Sequence, residues 1–348
     1  MSAMAEVDER RKVSGPGAPS MVLSLDPDHA RPTIAERRPR FEGSNIGTWI
    51  GFKHVMYLAE EGALQFLRDR GVAPGHLFEK HALCVEVVES GLRLLRALHM
   101  DDLVRIETRP ATKAGDRELS LAIEMFVSRD GRVVKAAGGQ VKLVFRQADV
   151  RFGGAEPPPE TLLPYVTPEI RRGRSKEQPA AVCVGRGSAN PDEDPIRRWI
   201  PKDSNAFVWK WHVPYFYCHF TERLQHSGYV RILEEVVDRF LADRGISIQT
   251  MLRRRGWIPV VTDAKVEILR EALMEETLYT VYTVDTIFKR LSYTARMDCY
   301  VPRDGSLVPT ARGWITHGYL HIADRGTAGA LAEFDDTVVA ALSGERAG

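Results

Sequence analysis

The feature that most constrains this chain is that it repeats itself. Residues 58–72 read LAEEGALQFLRDRGV, and residues 232–246 read ILEEVVDRFLADRGI, in register 174 positions later. Just upstream, His54-Val55-Met56-Tyr57 answers His226-Ser227-Gly228-Tyr229 at a spacing of 172, which implies a two-residue insertion in the second copy. The order of the downstream segments repeats as well. Each helical segment leads to an apolar stretch (82–88 and 258–268), then an acidic turn (Asp101-Asp102; Glu275-Glu276), then paired alternating runs. One short match arises easily by chance, but a shared order over some ninety residues does not, so the chain reads as a duplicated domain.

Each copy is expected to hold one helix and about five strands. Val230, Leu233, Val236, Val237, Phe240 and Leu241 recur at helical spacing and form an apolar stripe. Gly71 and Gly245 stand where a left-handed residue would end each helix. Leu119, Leu121, Ile123, Met125 and Val127 alternate as a half-buried strand does, and so do Tyr279, Val281, Thr283, Asp285 and Ile287. Asp130-Gly131 and Asp304-Gly305 fit hairpin turns. A helix this apolar needs cover on most of its circumference, which a long antiparallel meander curled around it supplies. The resulting division is a disordered leader (1–40), a first copy (41–146), a Pro-rich linker (147–205), a second copy (206–322) and an Ala-rich, helix-prone tail (323–348).

The 348 residues carry 48 basic and 47 acidic side chains, for a net charge of +1. That balance gives no electrostatic case for nucleic acid or an anionic membrane as the main partner. No apolar run approaches the roughly 18 residues of a spanning helix, and the leader has no signal-peptide core. The four cysteines are far apart, so neither a zinc site nor a disulfide framework is expected, and the cytoplasm is the default compartment.

These residues bring a family into view. Each copy resembles the hotdog fold, in particular the 4-hydroxybenzoyl-CoA type of acyl-CoA thioesterase. The resemblance rests on the two His-x-x-Tyr openings, on Glu234-Glu235 within the helix, on Arg244-Gly245-Ile246 at its end, and on Ile258-Pro259-Val260-Val261 entering the next strand. It implies an α+β double hotdog: two antiparallel sheets, each wrapped around one central helix and joined side by side, as homodimers of the family do with identical chains. It also implies an acyl thioesterase acting on acyl-CoA or an acyl carrier protein in polyketide or fatty-acyl metabolism. No cofactor is expected beyond the phosphopantetheine arm that carries the substrate. A homodimer of double hotdogs stays open.

In such a pair the N-terminus of one central helix faces the seam, where its free N–H groups would polarise a thioester carbonyl. The family's usual Asp, seven residues before the motif His, corresponds here to Gly47 and His219, with only Asn45 near the former. Copy two is better equipped, with His219, Glu222 and His226 in a short span, and copy one looks degenerate. Glu234, two turns into the helix, is a further candidate, as is its counterpart Glu60. Each has a plainer alternative: backbone-bonded histidines, or solvated helix carboxylates. Gly228, Tyr229, His54 and Tyr57 are expected to contact substrate, and Arg253 and Arg254 to meet CoA phosphates or an acidic carrier surface. The aromatic run from Phe207 to Phe220 is expected to be core. Dehydration, acyl transfer with decarboxylation, and a non-catalytic acyl-binding scaffold remain alternatives on the same fold.

Overall fold

The computed structural model describes residues 31–149, 154–172, 194, 196–200, 205–220, 222–322 and 328–344. The first copy runs β1 (Thr33–Arg37), α1 (Phe52–Asp69), α2 (Pro74–His81), β2 (Leu83–Leu94), β3 (Val104–Pro110), β4 (Leu119–Arg129) and β5 (Arg132–Gln147). A two-residue strand, β6 (Val166–Thr167), lies parallel to β5. The second copy begins with β7 (Phe207–His212), then the short hairpin β8 (Cys218–His219) and β9 (Arg223–Leu224). It continues with α3 (His226–Asp243), α4 (Ile248–Arg255), β10 (Trp257–Ile268), β11 (Thr277–Phe288), β12 (Ser292–Arg303) and β13 (Ser306–Ile322), and closes with β14 (Ala328–Leu331) and α5 (Asp336–Ser343).

The long strands merge into one sheet in the order β1-β3-β4-β5-β2-β10-β13-β12-β11-β7. The two halves of that order mirror each other about the β2–β10 seam, so the molecule has the symmetry of a dimer within one chain. At the seam the strands are antiparallel, with Val266 opposite Ser90 and Glu267 opposite Glu89. Each copy wraps its half-sheet around its own helix. On α1, Met56, Ala59, Ala63, Phe66 and Leu67 are wholly buried, and on α3 so are Val230, Leu233, Val236, Phe240 and Leu241. Full burial of a large apolar side chain is worth about 1.5–3 kcal/mol, and this is what curls the sheet. The alternating residues of β4, from Leu119 to Val127, all face α1 and are at most 3% exposed. Both Asp-Gly turns carry two successive positive φ angles (49° and 73°; 49° and 74°), the backbone of tight hairpins that only such residues adopt cheaply.

Several expectations change. α1, α2 and β2 recur 174 residues later as α3, α4 and β10, with lengths of 18, 8 and 12 residues in both copies. The helices therefore contain no insertion. The two His-x-x-Tyr strings sit two residues out of register, roughly 200° apart around the helix, so the paired histidines and tyrosines are not structural equivalents. A second short helix follows each central one, and Arg253 and Arg254 lie in it rather than in a loop. β1 pairs with β3 and extends the first copy upstream of residue 41. The leader from 1 to 30 lies outside the described residues.

The face of β11 turned toward α3 carries Leu278 and Tyr282. Tyr279 and Val281 are buried on the opposite face beneath Ile200, which comes from the linker. The aromatic run from Phe207 is expected to be core, but β7 is an outer edge strand of the sheet. Its aromatics are therefore only partly buried, and Tyr215 and Phe216 beyond it are 76% and 65% exposed. In the tail a strand precedes the helix.

Candidate active site

Symmetry puts the N-terminus of each central helix against the body of the other. α3 opens after Gln225 with no side chain capping its first turn, which leaves backbone donors and the positive end of the helix dipole directed at the seam. The β8–β9 hairpin lies against this helix start because Gly228 lets it. A Cβ there would meet Leu224 Cδ1 at 2.7 Å and Tyr217 Cδ1 at 3.0 Å.

Two chains of polar contacts converge beside that helix end. In the first, His219 Nε2 lies 2.8 Å from Glu86 Oε2, and Arg223 donates from Nε and Nη2 to Glu86 Oε1 at 3.0 and 2.8 Å. Glu86 is 2% exposed. Burial alone would raise its carboxyl pKa, but His219 and Arg223 outweigh burial and hold it below the ordinary value, so an ionised carboxylate fixes the imidazole. In the second, His226 Nδ1 faces Glu60 Oε2 at 3.3 Å, and its Nε2 lies 2.8 Å from Ser90 Oγ. The imidazole is thus fixed between the Glu60 carboxylate and the Ser90 hydroxyl. Ser90 and His226 are almost wholly buried, whereas Glu60 and His219 keep about a quarter of their side-chain surface.

These two partly exposed groups face one cleft of about 100 Å³. Its polar wall is Glu60, His219, Gln225 and His226; its apolar wall is Leu64, Pro74, Val85, Val87 and Phe220. The site is thus composite. Copy two supplies the helix end, the histidines and Phe220, while copy one supplies Glu60, Glu86, Ser90 and the rest of the apolar wall.

The predicted residues divide accordingly. His219 and His226 are brought together. Glu234 lies instead at the mirror-related position, where Lys53 Nζ pairs with it at 2.5 Å. There a Cβ on Gly51 would stand 3.6 Å from Glu234 Oε1 and 3.4 Å from Asn45 Nδ2. Phe52 occupies the place that His226 has in the other copy, and Asn45, not Gly47, answers His219 in the helix register. Glu222 is exposed and contributes its backbone carbonyl to Met274 N–H rather than its carboxylate to the cleft.

Tyr229 is wholly buried in the core, and His54 is buried beneath Gly43, so neither meets the cleft. Tyr57 bridges the two helix starts: it donates to Ser227 O at 3.3 Å and accepts from Arg231 Nε at 2.9 Å. Burial, only partly offset by Arg231, pushes its phenol up to about 12. Arg253 and Arg254 are exposed on α4 and do not line the cleft. Glu86, Arg223 and Ser90 were not singled out from the sequence. The available signal was Glu86 itself, a carboxylate inside the apolar run Val85-Glu86-Val87-Val88.

A merged pair of hotdogs defines the fold, and comparison with known proteins agrees. Residues 208–342 match the family model described as the thioesterase-like superfamily. No curated protein matches the sequence. Among solved structures, one described as an oleoyl thioesterase from Lactobacillus plantarum covers 83% of this chain and 97% of its own, at 13% identity and a TM-score of 0.53. A 12:0-ACP thioesterase from Umbellularia californica covers 82% and 93%, at 12% identity and 0.52. An acyl-ACP thioesterase from Bacteroides thetaiotaomicron covers 82% and 96%, at 10% identity and 0.50. The chain is a tandem hotdog protein whose second copy carries the thioesterase-like pattern. Among the described residues no helix is long and apolar enough to cross a membrane.

Proposed function

We propose that the protein is a thioesterase that hydrolyses an acyl thioester of CoA or of an acyl carrier protein, in polyketide or fatty-acyl metabolism. The observation that carries this reading is the meeting of Glu60 and His219, one from each copy, in a single cleft at the uncapped start of α3. A thioester carbonyl placed there receives backbone N–H groups from the first turn of α3, which stabilise the oxyanion as it develops. Glu60, held by His226, takes a proton from the attacking water. The tetrahedral intermediate then expels the pantetheine sulfur, and His219, held by Glu86, supplies the proton that leaves it as a thiol; exchange with solvent then takes the proton from Glu60 and returns one to His219, which restores the site. Water and thioester become acid and thiol, and no bound cofactor enters the balance.

The test is thiol release from a panel of acyl-CoA and acyl-carrier substrates, with mass spectrometry of the acyl product. Free acid supports the reading. Products of dehydration or decarboxylation, or thioesters returned intact throughout, overturn it.

A further inference from the structure

The apolar wall of the cleft ends on a residue in an unusual state. Phe220 follows His219 directly and has φ of 54°, a left-handed backbone that bulky side chains rarely adopt. Such a conformation persists only where the surroundings enforce it. Here the ring is held between two others, 5.2 Å from the Phe78 ring and 4.8 Å from the His219 imidazole. One side of Phe220 lines the cleft. It also packs with Phe78 against a separate buried cluster of small side chains, Ala82, Cys84 and Ala148.

We propose that Phe220 is the stop at the acyl end of the cleft and limits the protein to short acyl groups. The inference deepens the thioesterase reading and rests on it for the identity of what enters. The apolar side of the cleft at the start of α3 is formed by Leu64, one turn beyond Glu60 on α1, by Pro74 at the start of α2, and by Phe220. An acyl group that enters this cleft from a carbonyl held at α3 shares its space with the Phe220 ring.

The space sets the limit. A cavity of roughly 150 Å³ takes up one benzene, so the 100 Å³ cleft accommodates fewer than six carbons past the carbonyl. Against the ring pack Phe78 and the small side chains of Ala82, Cys84 and Ala148. Removal of the ring joins the cleft to that cluster and adds room for roughly six more carbons, the size of the ring removed. The position also ties selectivity to catalysis, because the Phe220 ring lies 4.8 Å from the His219 imidazole at a tilt of 49°: a chain that pushed the ring aside would disturb the imidazole.

The experiment measures binding of hydrolysis-inert S-alkyl pantetheine thioethers, from two to twelve carbons, by calorimetry. It is done on the full chain and on Phe220→Ala and Phe220→Leu, beside kcat/KM for the matching acyl thioesters. The expected result is tightest binding below about six carbons in the parent, a shift of roughly six carbons toward longer chains in Phe220→Ala, and a smaller shift in Phe220→Leu, with turnover following. Leu keeps most of the bulk and guards against a variant that simply fails to fold. An unchanged length profile in Phe220→Ala, or a parent that binds twelve carbons as well as four, overturns the role of Phe220 even if hydrolysis is intact. Length-dependent binding that shifts as expected, without hydrolysis of any thioester, overturns the thioesterase reading and leaves Phe220 as the stop. No binding at any length overturns both.

Discussion

Arg172, in the segment joining the copies, makes the seam depend on one side chain. Across the seam Glu89 stands directly opposite Glu267, an unfavourable pairing of like charges. The Arg172 guanidinium lies over both. It reaches Glu89 at 2.6 Å, Glu267 at 3.2 Å and Glu118 at 2.5 Å, and donates to the backbone carbonyls of Val88 and Ile268 at 3.1 and 3.4 Å. Its side chain is only 11% exposed and the three carboxylates between 14% and 26%, so solvent screens these contacts weakly. Arg172→Met keeps the apolar stem and removes the charge. Glu89 retains Lys142 and Lys265 at 3.2 and 3.1 Å and Glu118 keeps Lys142 at 3.8 Å, so Glu267 is the carboxylate that loses most.

At about 1 kcal/mol net for each of three charge-assisted contacts, the variant should lose about 3 kcal/mol. For a chain of this size that is a fall of about 4 °C in Tm. Burial would raise Glu89, but Arg172 and Lys265 outweigh it and lower its carboxyl to about 2. A depressed carboxylate contributes stability above its unfolded value, and that contribution is lost as pH falls through the folded value. The acid limb of the stability curve between pH 4.5 and 2 should therefore flatten in Arg172→Met. Urea titration followed by tryptophan fluorescence measures the loss, and a double-mutant cycle with Glu267→Gln isolates the seam contact. A loss below about 0.5 kcal/mol, or the same loss in the Glu267→Gln background, would refute the reasoning.

Other consequences are more local. His317 is wholly buried and Nδ1 has no hydrogen-bond partner among the described residues; burial lowers its pKa from 6.5 to about 4. The unfolded chain binds the proton more tightly, so stability falls as pH drops from 6.5 toward 4, by up to about 3 kcal/mol, and His317→Phe should lessen the difference in Tm between pH 7.5 and 4.5. Gly228→Ala places a methyl 2.7 Å from Leu224 Cδ1 and 3.0 Å from Tyr217 Cδ1, so the side chains that seat the hairpin bearing His219 must give way. A displacement near 1 Å costs about a hundredfold in kcat, to be read beside an unchanged circular dichroism spectrum.

The fold was legible because its signals are local and doubled. The stripes on α1 and α3, the alternation of β4 and the two Asp-Gly turns each occur with a counterpart, and each constrains the other. β1 was missed because five residues with two buried side chains, Thr33 and Ala35, carry little signal inside a polar stretch. The site was legible only in part. His219 and His226 lie close in sequence, but their partners come from the other copy: Glu86 is 133 positions away and Glu60 is 166. A seam between β2 and β10 cannot be inferred from either strand alone. Glu60 and Glu234 are identical residues at matching helix positions, so only the neighbours, His226 for one and Lys53 for the other, tell the sites apart.

That distinction carries the central claim, that one composite site at the start of α3 does the chemistry. The direct test is steady-state thioester hydrolysis by Glu60→Gln and Glu234→Gln, with folding checked by thermal denaturation. Glu60→Gln should lose at least about a thousandfold in kcat, whereas Glu234→Gln, on the side held by Lys53, should stay within a few-fold of the parent. Full turnover by Glu60→Gln, or its loss in Glu234→Gln alone, would contradict the account.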